Sequence, residues 1–433
     1  MQSSTLLRLL QLTWRSPVFG DAYPATILTK TGAITQQIEE VHQRFLTRLE
    51  PILKQGMPYA SAAEVQEIMR QIGPKSTAFC SAIAAAEIHD VERLCAAAVS
   101  IALVYWADQS MDRGDEAMMA AVHSLNSQAS NGNSDYSMNS YSYNGPSKFM
   151  DPAASVDEVY AARRRAVRQI EQEVIRLSRP EDMPVLLDCV FHETLQHEAR
   201  MRELSQLYLR QAGSNFWDTY AEEIARLSII NGAFIYVTSA IYAIYRLHQP
   251  HLPPLVEIFN QPAMMVALRG AGNAAIRVFD DLGDRHIDQG HYPEWGEFCL
   301  NIFNQPHPRL LRAFLLRAGM DDAHLHESVL AAFQAGGRVS QTYIIEAFKE
   351  LVRDQVMKLP PPIWQRYRTF LTLSKRVIEA GYVNTLGDKA LAGTAPLGDS
   401  WPVYESQRFD DPLRFVESQP LTNLRFVHRD NSL

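Results

Sequence analysis

Apolar residues recur at every third and fourth position through most of this chain, the spacing that lines up one face of an α-helix. "ITQQIEEVHQRFLTRLEPILKQG" shows the pattern and stops at a glycine, and "AAEVQEIMRQIG" repeats it. "AAAEIHDVERLCAAAVSIALVYWADQSMD" is long and strongly apolar, as a buried central helix is. "VDEVYAARRRAVRQIEQEVIRLS", "MPVLLDCVFHETLQHEARMRELSQLYLRQAG" and "WDTYAEEIARLSIINGAFIYVTSAIYAIYRLH" continue the series. "PAMMVALRGAGNAAIRVFDDLGDRHID" opens on Pro262, which suits a first helical turn because its missing N–H would go unpaired there. "HPRLLRAFLLRAG", "YIIEAFKELVRDQVMK" and "PPIWQRYRTFLTLSKRVIEAG" complete the set. No run alternates with period two, no hairpin signal occurs and nothing repeats at a fixed period. The pattern predicts an all-α fold.

One stretch breaks it. "SLNSQASNGNSDYSMNSYSYNGPSKFMDPAAS" is rich in Ser, Asn, Tyr and Gly and lacks aliphatic residues. It reads as a disordered polar insertion at about residues 124–152 between two helices of one array. The expected organisation is one helical domain over residues 1–385, followed by an irregular tail over 386–433 punctuated by Pro and Asp.

Composition narrows the class. The 433 residues are 46% hydrophobic and 21% charged with a formal net charge of -8, which lacks the basic stripe of a nucleic-acid binder. Cys80, Cys95, Cys189 and Cys299 are widely spaced and form no CxxC pair, so a reducing cytosol is the expected compartment. The opening "MQSSTLLRLLQLTWRS" is too short and too interrupted for a membrane span or a signal peptide. A cytoplasmic protein without stable membrane insertion is expected.

The chemistry concentrates in carboxylates. In "IRVFDDLGDRHIDQG", Asp280, Asp284 and Asp288 stand four apart and form one row on a helix, entered from Ala274, Ile276, Val278 and Phe279. Like charges at that spacing repel, and a bound divalent cation reverses the sign. Oxygen-only ligands favour a hard cation such as Mg²⁺. Taken alone, the run fits a solvated acidic face equally well. "LVYWADQSMDRGDE" ends a second apolar helix with Asp108 and Asp112, again four apart. Facing bundle helices that each carry such a pair are a recurring way to build a metal site.

With these two clusters the sequence resembles the class I terpenoid synthases. "DQSMD" is similar to that family's aspartate-rich motif, with Gln109 where a second aspartate usually stands. "DDLGDRHID" is similar to its N-D-x-x-S-x-x-x-E motif, with Asp280, Asp284 and Asp288 at the three ligand positions and Asp281 between them. Arg366 and Tyr367 in "WQRYRTF" resemble the Arg-Tyr pair the family carries downstream, and Arg226 resembles its diphosphate-sensing arginine, with Arg246 a weaker candidate. The resemblance covers about residues 75 to 380. It implies a single large helical bundle around a central active-site cavity. It implies three Mg²⁺ ions held by Asp108, Asp112, Asp280, Asp284 and Asp288, a prenyl diphosphate as substrate, and Arg226, Arg285, Arg366 and Tyr367 as donors to the diphosphate. It is compatible with a homodimer.

The implied activity is that of a carbon–oxygen lyase of isoprenoid biosynthesis. Metal and arginine stabilise the charge growing on the leaving diphosphate, and the remaining allylic cation is kept from water and cyclised or quenched. Aromatic faces suit a desolvated cation. Tyr105, Trp106, Phe234, Tyr236 and Tyr242 are the candidate cavity lining, although such a stripe also fits an ordinary core. Gly232 mid-helix fits a cavity-lining break or a close helix contact.

Three rivals stay open. A chain-elongating synthase of the same fold matches the D-D-x-x-D spelled by Asp280, Asp281 and Asp284, but the lysine segment for a second diphosphate is missing. A prenyl-coupling synthase matches the D-x-x-x-D of "DQSMD". A non-catalytic helical binding protein would leave the acidic rows solvated. "FHETLQHEARMRE" lacks both the H-E-x-x-H and the E-x-x-H spacing, so it is expected to be a solvated or interface helix.

Overall fold

The computed structural model describes residues 40–69, 72, 88–125, 155–211, 215–230, 234–291, 301–304 and 306–382. Among the described residues every regular element is a helix. The polar insertion, the tail and Gly232 lie outside the described residues.

Local chemistry sets where the helices begin. α1 (40–56) leads to α2 (62–69), whose Ser61 and Glu64 cap each other reciprocally. Asp90 accepts from the Arg93 amide and opens α3 (Val91–Asp112), and Asp115 does the same for α4 (Glu116–His123). A capping box at Ser155 opens α5 (Val156–Val167). Arg168 separates α5 from α6 (Gln169–Leu177), so one periodic stretch of sequence becomes two helices.

α7 runs from Met183 to Gln211 and contains a π-helical segment at Leu187–His192. α8 (Phe216–Ile230), α9 (Phe234–His248) and the short α10 (Leu255–Phe259) follow. α11 runs from Pro262 to His291, with a second π segment at Met265–Gly272. The remaining helices are α12 (Pro308–Arg317), α13 (Ala323–Ala335), α14 (Gly337–Met357), α15 (Pro361–Arg366) and α16 (Arg368–Tyr382). The sequence pattern did not single out α10 or α13. Gly336, at φ +62°, ends α13 and starts α14 where a side chain would be strained.

Burial decides the arrangement. α3 is long and apolar enough to cross a membrane by composition, but most of it is buried against other helices. It packs on α6, α7 and α9 within one continuous apolar core. α9 runs antiparallel to α3: His248 at its end meets Asp90 at 3.1 Å, and Tyr236 near its start faces Tyr105 and Asp108. α11 starts from the end that α9 reaches, packs on α8, α9, α14 and α16, and reaches α7 through the Arg269–Glu193 pair. Asp108 and Asp280 each lie roughly 26 Å along their helices at 1.5 Å per residue, near the same end of the array.

Candidate functional site

The carboxylate end of α3 is built from three helices. Asp112 forms an ion pair with Arg202 of α7, with side-chain exposures of only 14% and 9%. Asp108, one turn earlier, is half-buried. It faces Tyr236 of α9, which is also approached by Tyr105 and Glu198. Burial, then Tyr105, then the two carboxylates hold the Tyr236 phenol protonated well above its ordinary range. Three apolar helices thus bring together a carboxylate pair and two tyrosine hydroxyls.

On α11 the two adjacent aspartates have different fates. Asp281 is 2% exposed and is held by Arg277 Nε at 2.8 Å and by the Ile302 amide at 2.9 Å. Its own carbonyl accepts from the Asn301 side chain at 2.6 Å. This carboxylate ties the Asn301–Ile302 segment to α11. Asp280 is 39% exposed and 3.8 Å from Arg277, so it keeps oxygens for a ligand. Asp284, Arg285 and Asp288 continue the helix, but their side chains lie outside the described residues.

The arginines separate into two groups. Arg226 of α8 donates to His197 of α7 at 3.2 Å, and Arg269 of α11 pairs with Glu193 of α7. Burial, then Arg226 and Arg269, push the His197 imidazole down to about 4. Arg246 is buried in a pair with Asp182 and also bonds Glu181 and the Leu252 carbonyl, which fixes the α9–α10 connection. Arg366 and Tyr367 both bond Glu257 of α10, Arg366 Nη2 at 2.7 Å and the Tyr367 hydroxyl at 2.7 Å. α10 follows the end of α9 that meets Asp90, so this trio sits at the opposite end of α3 from Asp108. The expectation that Arg366 and Tyr367 join the carboxylates is corrected: they clamp α15 to α10.

The aromatic expectations divide in the same way. Tyr105 and Tyr236 meet at the carboxylate end. Trp106 points elsewhere, packing on Gly56 and lying 5.7 Å under the Arg163 guanidinium. The Tyr242 hydroxyl donates to the Pro253 carbonyl at 2.9 Å and its ring stands edge-on to Phe370. Trp106 and Tyr242 are therefore packing residues. The Phe234 side chain lies outside the described residues.

The helix "FHETLQHEARMRE" was expected to be solvated or to lie at an interface, and it is neither. α7 packs between α3 and α8, and its Glu193, His197, Glu198 and Arg202 are the partners of the site residues on every side. The signal for this was present in two pairs four apart, Glu193 with His197 and Glu198 with Arg202. Both π segments adjoin the cluster, a placement such segments often have at functional sites.

Several buried polar atoms on α7, α8, α9 and α11 have no hydrogen-bond partner among the described residues. They include the hydroxyls of Ser228, Thr238 and Ser239, the Asn273 amide, His197 Nδ1 and Arg269 Nε. Other buried helical hydroxyls, Ser100, Ser178, Thr194 and Ser205 among them, return to a carbonyl one turn back, whereas that of Ser374 on α16 is also unpartnered. An unsatisfied buried polar group costs about 1–3 kcal/mol.

The donor set fits Mg²⁺ in kind, being carboxylate oxygen throughout. Asp280 keeps oxygens for it and Asp108 stands beside Tyr236, while Asp112 is already neutralised by Arg202. Among the described residues, no group of three or more His, Cys, Asp or Glu side chains is arranged to hold a metal ion. Compared with known proteins, the chain matches no family model, no curated sequence and no solved structure.

Proposed function

We propose that this chain is a Mg²⁺-dependent terpene synthase that ionises a prenyl diphosphate and cyclises or quenches the resulting carbocation. The observation that carries the reading is the meeting of Asp108 with Tyr105 and Tyr236 at the end of apolar core helices, with Asp280 at a similar depth on α11. Asp108 and Asp280, with Asp284 and Asp288 by their spacing, would hold the metal. Mg²⁺ bound there supplies a Lewis acid for the leaving diphosphate. Arg226 brings a guanidinium toward the same group, steadied by His197. Tyr105 and Tyr236 offer ring faces to a cation, each worth up to about 2 kcal/mol when desolvated.

Asp281 favours this reading over chain elongation. Its carboxylate is used by Arg277 and Ile302, so Asp280, Asp281 and Asp284 do not act as one metal-binding trio. Arg366 and Tyr367, held by Glu257, are given no role in this reading.

The test is incubation of the purified chain with geranyl, farnesyl, geranylgeranyl and farnesylgeranyl diphosphates, with and without Mg²⁺. A Mg²⁺-dependent hydrocarbon or alcohol and released diphosphate are expected from one of them. Elongation when isopentenyl diphosphate is added would move the assignment to an elongating synthase. No turnover and no effect of Mg²⁺ on stability would leave a helical binding protein.

A further inference from the structure

α3 and α7 run in parallel. Asp182, just before α7, pairs with Arg246, and two residues further along α9 His248 meets Asp90 at the start of α3. At the other ends of the two helices Arg202 pairs with Asp112. Four residues earlier on each helix, about 6 Å back at 1.5 Å per residue, Glu198 comes level with Asp108. Tyr236 of α9 marks the same meeting from a third side, since both carboxylates lie against it. One rung of this ladder therefore joins opposite charges, and the next joins two carboxylates.

Asp108 and Glu198 are both half-buried. Like charges brought together in that setting repel, and a cation between them reverses the sign. Tyr236 is only 1% exposed. Tyr105 approaches its hydroxyl, yet the hydroxyl forms no well-directed hydrogen bond to a described residue. Water on a bound cation would supply the missing partner. Mg²⁺ is held by one or two carboxylates and completes its shell with waters and phosphate oxygens, so a pair suffices. We infer that Glu198 is a ligand to the cation held at Asp108, so that one ion is gripped from two helices, α3 and α7. The resemblance to the terpenoid synthases assigns no ligand to α7 and implies Asp108 with Asp112 at this end. Arg202 occupies Asp112, and Glu198, one turn before Arg202, takes its place. The site deepens the proposed synthase reading and rests on it for what the ion does.

The experiment titrates the whole chain, without substrate, with Mn²⁺ in place of Mg²⁺ and follows the electron paramagnetic resonance signal of the free ion. Carboxylate and water ligands suit both metals. Glu198→Gln and Asp108→Asn should each lose one bound ion or weaken it about tenfold or more. The double variant should lose that same ion and no second one. Glu198→Asp keeps the carboxylate, should bind better than Glu198→Gln, and serves if the latter does not fold. No Mn²⁺ bound by the wild type, wild-type binding in Glu198→Gln, or two ions lost in the double variant would overturn the site. Prenyl diphosphate turnover measured in parallel separates the two ideas. An ion lost in Glu198→Gln with no turnover by the wild type removes the synthase and leaves the site. Turnover whose Mg²⁺ dependence is the same in Glu198→Gln as in the wild type removes the site and leaves the synthase.

Discussion

Arg202 reaches across from α7 and neutralises Asp112, so the last carboxylate of α3 is engaged before any ligand arrives. Both groups are nearly buried, and a pair in that setting is costly to break from one side. Asp112→Asn or Arg202→Gln alone should destabilise the fold by about 3–5 kcal/mol in urea denaturation. Asp112→Asn combined with Arg202→Met should recover most of the loss. Additive single losses in that cycle would show that the two residues are not coupled.

The neighbours Asp280 and Asp281 should respond oppositely. Asp281→Ala strands Arg277 and the Ile302 amide and should cost about 3–5 kcal/mol of stability. Asp280→Ala removes a part-exposed carboxylate at 3.8 Å from Arg277 and should cost under about 1 kcal/mol. Under the proposed function it should nonetheless abolish Mg²⁺-dependent turnover. Thermal melts and product assays on the two variants check both halves; equal destabilisation would contradict the assignment.

The Glu257 clamp predicts an acid limb. Hydrogen bonds from Arg366 and then Tyr367 hold the Glu257 carboxyl at about 2. In the unfolded chain an ordinary carboxyl titrates at about 4.3, so between these values the unfolded state binds the extra proton. Stability from this group is full above about pH 4.3 and is lost as pH falls toward 2. Glu257→Gln should flatten the fall of Tm across that window and leave neutral-pH turnover unchanged. Superimposable acid limbs for the two proteins would rule out the clamp.

Trp106 is argued to be packing, and Gly56 provides the check. A Cβ at Gly56 would lie 2.6 Å from Trp106 and 2.8 Å from Ala166. Gly56→Ala should cost about 1–3 kcal/mol by overpacking. The product profile should not change. An altered product with unchanged stability would return Trp106 to the cavity.

The sequence by itself determined the helices. Their apolar spacing, the caps at Asp90, Asp115 and Ser155, and the Pro262 start are local properties, read within a turn or two of chain. It also marked where carboxylates gather, because a four-residue interval puts Asp108 with Asp112 and Asp280 with Asp284 on shared faces. What each carboxylate does was decided only by the tertiary structure. Asp108 and Asp112 look alike along the chain, yet one faces Tyr236 and the other is neutralised by Arg202. Asp281 looks like a spare member of an acidic run, yet it holds the Ile302 amide from a segment distant in sequence. Arg366 and Tyr367 look like site residues, yet Glu257 holds them at the far end. α7 looks like a solvated helix, yet it supplies partners to every neighbouring cluster. The physical reason is the same in each case. A side chain's charge and its helical face are set locally, whereas its partner, burial and free lone pairs come from helices distant in sequence.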